Sequence, residues 1–206
     1  MTVDTRGARS AYVTPPRWAI AQRGNVDELL LEQAHLEKKA AAGAVAFLFR
    51  LRLDARLHRQ LSALAREELV HFERTLRMLD RRQVAFLPLA SSGYAEKLKK
   101  AIRRDMPERI VDELLVAAVI ERRSHERMTM LAEALVDREP EVAAFYADLC
   151  PSEDRHEELY LELAGMHATW DVGDRYRELL AYEADVLQQL PFTARLHGGA
   201  PDGLGA

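Results

Sequence analysis

Apolar residues recur every three or four positions along most of this chain, the spacing that gathers them on one face of an α-helix. The pattern is longest in four segments and returns in a shorter fifth one. Ala, Leu, Glu and Arg dominate inside these segments, whereas Gly and Pro lie mostly outside them, which also favours helix. We therefore predict an all-α fold whose helices A, B, C, D and E cover residues 25–51, 54–79, 105–136, 140–165 and 174–190.

The ends of these helices carry recognisable signals. Asn25 begins helix A with a capping-box-like pattern, and Asp54 and Asp105 are placed to cap helices B and C. Gly165 is expected to end helix D. Pro151 lies inside helix D and is expected to kink or restart it.

The connections predict how the helices pack. The links from A to B and from C to D are short, so each pair should form antiparallel neighbours. The stretch between B and C is much longer and carries a short helix over residues 94–104. Two short loops around a long crossover are typical of a ferritin-like four-helix bundle, here with an extra C-terminal helix.

The chain length suits one domain, which we assign to residues 1–206. Residues 1–24 are predicted to be an irregular lead-in that docks through Trp18, and residues 197–206 a flexible Gly-rich tail. The apolar runs are too short for a membrane span and no signal sequence is visible, which predicts a cytoplasmic protein that does not enter membranes. A monomer is compatible with this pattern.

Acidic residues interrupt the apolar face of each long helix. Helix bundles that hold two metal ions place one Glu on each of two helices and a Glu-x-x-His on each of the other two. The separation from Glu37 to Glu68 is 31 residues and that from Glu121 to Glu153 is 32, as expected for two matching helix pairs. The candidate metal ligands are Glu37, Glu68, His71, Glu121, Glu153 and His156.

A Glu-x-x-His match is weak by itself, because a chain of this composition contains about one by chance. This sequence has a third, Glu32 with His35. Glu37 shares its helical stripe with apolar residues, whereas the stripe of Glu32 is polar. We therefore predict that Glu37 faces the core and that Glu32 faces solvent.

Buried acids require partners. Each Glu and His could form an ordinary hydrogen-bonded pair, but four acids in one apolar core would repel one another unless cations joined them. Mixed carboxylate and imidazole ligands suit iron or manganese better than structural zinc, and the single Cys150 excludes a cysteine-held metal cluster. His125 and Tyr160 are possible neighbours of the ligands, or else simply core residues.

The formal net charge is -4, yet the lysines fall into two clusters. The first is Lys38 with Lys39. The second lies in the crossover, where its alternatives are a solvated helix face or an anion-binding surface. Its candidate contacts are Lys97, Lys99, Lys100, Arg103 and Arg104.

These residues resemble a known family, the bacterial tRNA 2-methylthio-isopentenyladenosine hydroxylases (MiaE-type). The similar segments cover nearly the whole chain and include "LLEQAHLEKKAA", "LAREELVHFERTL", "DMPERIVDELL", "SEDRHEELYLELA" and "RLHGG". The family's ligand positions fall on the six residues named above. His125 departs from the family pattern.

The resemblance implies a pair of iron ions and an O2-dependent hydroxylation of the isopentenyl group on a hypermodified adenosine beside the tRNA anticodon. It also raises the crossover cations to candidate contacts with the tRNA anticodon stem-loop. No flavin or nicotinamide fingerprint is visible, so the electrons should come from a separate reductase or ferredoxin. Two other functions remain open, a ferritin-like iron-oxidising or iron-binding protein and a di-metal oxidase of a free small molecule.

Overall fold

The computed structural model describes residues 11–201, and its regular elements there are helices joined by loops and turns. This confirms the all-α prediction. A short 3-10 turn, Lys99–Ala101, follows α4. In the described part of the chain the α-helices are α1 Pro16–Gln22, α2 Val26–Arg50, α3 Ala55–Arg81, α4 Tyr94–Leu98, α5 Glu108–Leu135, α6 Pro140–His167 and α7 Gly173–Gln189.

The predicted start of helix B is confirmed. The Asp54 carboxylate accepts a hydrogen bond from the backbone N–H of Leu57 at 2.8 Å, and this bond lowers the pKa of Asp54. Asn25 precedes α2, but its side chain makes no capping hydrogen bond. The Asp105 cap is wrong, because α5 begins three residues later at Glu108.

The expected restart of helix D at Pro151 and its expected end at Gly165 are wrong, whereas a kink at Pro151 stays a prediction. One helix, α6, continues through Pro151 and past Gly165 to His167. Two side chains beside the proline donate hydrogen bonds to nearby carbonyl oxygens: Cys150 Sγ to Tyr146 O at 3.2 Å and Ser152 Oγ to Leu149 O at 2.5 Å. Neither bond reaches the carbonyl of Ala147, which loses its N–H partner at Pro151, so they tie only the flanking residues to the preceding turn.

The contacts of the chain divide it into two compact units, so the single-domain assignment stays a prediction. The smaller, which we call the hairpin unit, comprises Gly24–Ala90 and Ala194–Leu196. Its two helices, α2 and α3, pack against each other and are joined by the short segment 51–54, so they run antiparallel. Leu30, Ala34, Leu61 and Leu64 are among the apolar side chains of these helices that are buried.

The second unit, which we call the large unit, comprises the residues up to Arg23, Ser91–Thr193 and the residues from His197 onward. Helices α5 and α6 form its principal pair, and α1 and α7 pack on α5. Part of the expected irregular lead-in is therefore helical. Trp18 is fully buried beneath the Arg127 guanidinium, 4.6 Å from the ring centroid, which confirms that the lead-in docks through this residue; residues 1–10 lie outside the described part.

A buried ion pair fixes three helices of the large unit. Arg123 Nε on α5 donates to Glu183 on α7 at 2.6 Å, and the Tyr94 hydroxyl on α4 donates to the same carboxylate at 2.8 Å. Burial and the Glu183 charge raise the pKa of Tyr94. Burial alone would lower the pKa of Arg123, but the hydrogen bonds and charge of Glu183 outweigh it and raise that pKa.

The tail that was expected to be flexible is packed from His197 to residue 201. The His197 ring is 3% exposed and stacks on Tyr94 with 4.5 Å between centroids, and Arg127 Nη1 donates to Gly198 O at 2.7 Å. A Cβ on Gly199 would lie 1.8 Å from Leu190 O, so this position requires glycine. Residues 202–206 lie outside the described part.

None of the helices described here combines the length and the apolar character needed to cross a bilayer.

Candidate metal centre

The hairpin unit brings three of the predicted ligands together. Glu37 on α2 and Glu68 and His71 on α3 are all at most 5% exposed. His71 Nδ1 lies 3.6 Å from Glu68 Oε2 and 3.9 Å from Glu37 Oε2. Gln33, one turn before Glu37, donates from Nε2 to Glu37 Oε1 at 2.8 Å and so fixes the direction of that carboxylate.

The donor atoms of this cluster suit a metal ion. His71 Nδ1 is buried and makes no hydrogen bond with any residue in the part of the chain that the structure describes. Its separations from the two carboxylate oxygens exceed hydrogen-bond length. Metal bonds from nitrogen and oxygen donors are about 2.0–2.2 Å long, so two ligands of one ion lie roughly 3–4 Å apart, as observed here.

The large unit contains the matching set. Glu121 on α5 and Glu153 and His156 on α6 are 6%, 3% and 2% exposed. One ligand atom from each of these residues lies within 4.8 Å of the ligand atoms of the other two. Glu153 and His156 are three residues apart on one helix, so they project from the same face.

Each unit therefore presents two carboxylates and one imidazole, with one Glu from the first helix of a pair and a Glu-x-x-His from the second. Three donors satisfy only part of the coordination of an iron or manganese ion, which commonly binds five or six ligands, and leave positions for bridging groups or substrate. That one centre draws on all six residues stays a prediction.

Glu32 contradicts the expectation that it faces solvent, because it is 5% exposed. Its carboxylate accepts a hydrogen bond from the backbone N–H of Leu196 and lies 3.8 Å from Arg195 Nε, both in the hairpin unit. The helical pattern of α2 could not reveal this, since the covering residues lie 164 positions later in the chain. Glu32 is thus buried by the C-terminal segment and bound to its backbone.

The predicted neighbours of the ligands differ in placement. His125 is turned toward Asp154, with 2.8 Å between Nδ1 and Oδ1, and about a third of its side chain is exposed. Tyr160 is buried on α6, one turn after His156. Burial raises the pKa of Cys150, which keeps this thiol protonated at neutral pH.

Three further buried acids were missed from the sequence, and one of them is Glu183, the partner of Arg123 described above. Asp112 on α5 is fully buried and accepts hydrogen bonds from Arg103 at 2.7 Å and from Arg175 at 2.9 Å. Burial would raise the pKa of Asp112, but these bonds outweigh it and hold the pKa below its ordinary value. Glu157 likewise binds Arg122 at 3.0 Å. The arginines that contact Asp112 and Glu157 are distant in sequence or on other elements, so no local motif marks these acids.

The crossover cations do not form one uniform set. Lys99, Lys100 and Arg104 are exposed, and Lys97 is half-buried. Arg103 is committed to Asp112, as described above. Its guanidinium also lies 5.5 Å from the centroid of the Trp170 ring. The candidate anion-binding surface therefore rests on the other four residues, with Arg103 as part of its support.

Comparisons with known proteins show which family and which individual proteins this chain is similar to. The model of the family tRNA-(MS[2]IO[6]A)-hydroxylase (MiaE) matches residues 8–198. A tRNA 2-(methylsulfanyl)-N(6)-isopentenyladenosine(37) hydroxylase from Pseudomonas putida is 37% identical over 94% of this chain and 93% of its own. The protein with the same description from Salmonella typhimurium is 34% identical over 67% of this chain and 50% of its own.

A solved structure is also similar, "Protein 43 with aldehyde deformylating oxygenase activity from Synechococcus". It is 36% identical and superimposes with a TM-score of 0.82 over 96% of this chain and 100% of its own. Together with the all-helical described region, this likeness confirms the predicted ferritin-like fold class.

Proposed function

The chain belongs to the tRNA-(MS[2]IO[6]A)-hydroxylase family, and from that premise we propose that it hydroxylates the isopentenyl group of 2-(methylsulfanyl)-N6-isopentenyladenosine at position 37 of tRNA, using two iron ions and O2. The proposed reaction rests mainly on the family match over residues 8–198. The buried Glu and His clusters support the metal dependence.

The proposed ligands are the six residues predicted from the sequence, three from each unit. The chemistry of the clusters supports this set. Each cluster offers two carboxylates, which can bridge two metal ions, and one imidazole, which binds a single ion. Two ions need more donors than three side chains supply. We therefore propose that the six residues together hold the two ions.

The bound iron pair would supply the activation of O2, placing one oxygen atom in a C–H bond of the substrate while the other leaves as water. The protein's part is to hold the ligands in place and keep bulk water from them. Gln33 orients Glu37 through the hydrogen bond described above. The two electrons for each turnover come from a separate reductase or ferredoxin, since the chain carries no flavin or nicotinamide fingerprint.

The tRNA anticodon stem-loop is proposed to contact the crossover. Lys99, Lys100 and Arg104 are exposed cations that suit phosphate oxygens, and Lys97 lies beside them. Arg103 has a supporting role, because its bonds to Asp112 fix the end of this segment on α5.

One second function is favoured by an observation. The similar structure has aldehyde deformylating oxygenase activity in its title, so this chain could instead act on a free aldehyde. The substrate distinguishes the two functions. Presenting the iron-loaded protein and a reductant with modified tRNA in one reaction and with an aldehyde in another separates them.

The ligand assignment is tested by metal content. Glu37→Gln should lose most of the bound iron. Glu32→Gln is the matched control, because Glu32 is on the same helix and equally buried but binds the C-terminal backbone. Retention of two iron ions per chain by the Glu37 variant, or selective loss from the Glu32 variant, would overturn the assignment.

A further inference from the structure

The third Glu-x-x-His match and the first lysine cluster have no role in the proposed metal centre, yet they meet at one place in the hairpin unit. His35 and Lys38 of α2 surround Phe86, which lies in the extended segment after α3. The ring centroids of His35 and Phe86 are 4.6 Å apart, and Lys38 Nζ lies 5.0 Å from the Phe86 centroid. Phe72 of α3 meets the same ring edge-on at 5.7 Å. We call His35, Lys38, Phe72 and Phe86 the aromatic cluster.

The aromatic cluster is held in place while remaining open to solvent. His35 Nε2 forms a 2.8 Å hydrogen bond with Leu87 O, which ties the extended segment to α2. Phe86 is nevertheless 38% exposed and the adjacent Leu87 is 59% exposed. A Phe ring that only filled the core would be expected to lose most of this exposure.

The chemistry of this surface matches single-stranded RNA. Proteins bind unstacked bases by placing aromatic rings under them and cations beside their phosphates. The cluster provides an exposed ring, and Lys38 and Lys39 provide two exposed ammonium groups. A protein partner would be favoured by a larger apolar surface with fewer cations.

The position of the cluster suits a base next to the modified one. Lys38 directly follows the proposed ligand Glu37 on α2, and Phe72 directly follows His71 on α3. Consecutive residues of a helix are about 100° apart around an axis whose full diameter is about 10 Å. The cluster and the hairpin-unit ligands are therefore at the same level of α2 and α3, on faces about 100° apart.

We propose that the aromatic cluster binds an unstacked base of the tRNA anticodon loop beside the adenosine that is hydroxylated, with Phe86 as the stacking ring and Lys38 as a phosphate contact. The inference rests on the proposed tRNA function and adds a second RNA-binding surface, separate in sequence from the crossover cations. Neither Phe86 nor Lys38 needs to touch the metal or the reacting carbon.

The test measures binding of a synthetic anticodon stem-loop RNA to the metal-loaded full chain by fluorescence anisotropy. Phe86→Leu keeps an apolar side chain over Phe72 but removes the aromatic face, and should weaken binding about 5- to 100-fold. Phe86→Trp should restore it. Phe49→Ala, which changes an aromatic residue of α2 that is 85% exposed, is the matched control and should bind as the wild type does.

A second measurement, the salt dependence of RNA binding, tests the proposed phosphate contact of Lys38. Lys38→Gln should lower the slope of log Kd against log salt by about 0.7 to 0.9, the contribution of one phosphate contact. Wild-type affinity and slope in both cluster variants would overturn the inference while leaving the proposed function intact, provided that the wild type still hydroxylates the tRNA. Unchanged RNA binding with impaired turnover from the reductase would also overturn it and assign the cluster to a protein partner.

Discussion

Replacing Glu68 by Gln should stabilise the metal-free protein and remove most of the stabilisation that metal brings. In the hairpin unit, a Glu37 oxygen and a Glu68 oxygen both lie within 4 Å of His71 Nδ1, at 3.9 and 3.6 Å. The two oxygens are therefore at most about 7.5 Å apart, and Coulomb's law with an effective dielectric constant of about 20 gives a repulsion of at least about 2 kcal/mol when both are ionised. Gln has nearly the same shape and carries no charge, so Glu68→Gln relieves this repulsion.

Bound iron should cancel the stability advantage of the Glu68→Gln variant. At a free iron concentration of about 100 times the wild-type Kd, binding stabilises the wild type by about 2.7 kcal/mol. A 100-fold weaker site in the variant gains only about 0.4 kcal/mol under the same conditions. The variant's advantage of about 2 kcal/mol should therefore disappear when iron is added.

The assay is urea denaturation, performed with a chelator and again with ferrous iron in the absence of O2. Glu73→Gln is the control, since Glu73 lies on the same helix with an exposed side chain 3.8 Å from Arg77 and should change stability by less than about 0.5 kcal/mol. The reasoning is refuted if Glu68→Gln destabilises the metal-free protein by more than about 1 kcal/mol while the gain from iron is unchanged. Glu68 would then be a structural hydrogen-bond acceptor.

Three other predictions concern the large unit. Gly199→Ala should destabilise the protein by about 1–3 kcal/mol and lower Tm by several degrees, because the new Cβ meets Leu190 O; an unchanged calorimetric Tm contradicts the close approach. Glu183→Ala should cost about 3–5 kcal/mol in denaturant unfolding by leaving the Arg123 charge buried without its main partner, whereas a loss below about 1 kcal/mol would show that other groups neutralise it. The pKa of Asp112 is lower in the folded than in the unfolded chain, so its contribution is present above the unfolded value near 3.8 and is lost as pH falls through the lower folded value. Asp112→Asn should therefore flatten the fall of stability below about pH 4 in acid titrations, and an unchanged pH dependence would refute this.

Much of the fold was predictable because helix patterns are local. The four long helices follow from apolar spacing, and Asp54 shows that a single cap residue fixes where α3 begins. The same locality explains the error at Asp105 and the expected restart at Pro151. A proline is a local signal for a helix break, but it does not show that the flanking residues continue as one helix, as they do in α6.

The site residues show the same contrast, because local patterns predict their burial and distant segments escape prediction. The helical face correctly indicates that Glu37, Glu68, Glu121 and Glu153 are buried. The same criterion wrongly predicts that Glu32 faces solvent, because the segment that covers this residue comes from the far end of the chain. The prediction of a flexible tail failed for a related reason. A Gly-rich sequence is typical of a mobile segment, but Gly199 is required here because Leu190 O packs directly against it.

The proposed hydroxylation is tested most directly by mass spectrometry of tRNA nucleosides. tRNA that carries 2-(methylsulfanyl)-N6-isopentenyladenosine is incubated with the iron-loaded protein, O2 and a reductant. We predict conversion of that nucleoside to a product heavier by one oxygen atom, incorporation of 18O when 18O2 is supplied, and no conversion by Glu37→Gln. A protein that holds two iron ions per chain yet leaves the nucleoside unchanged would contradict it.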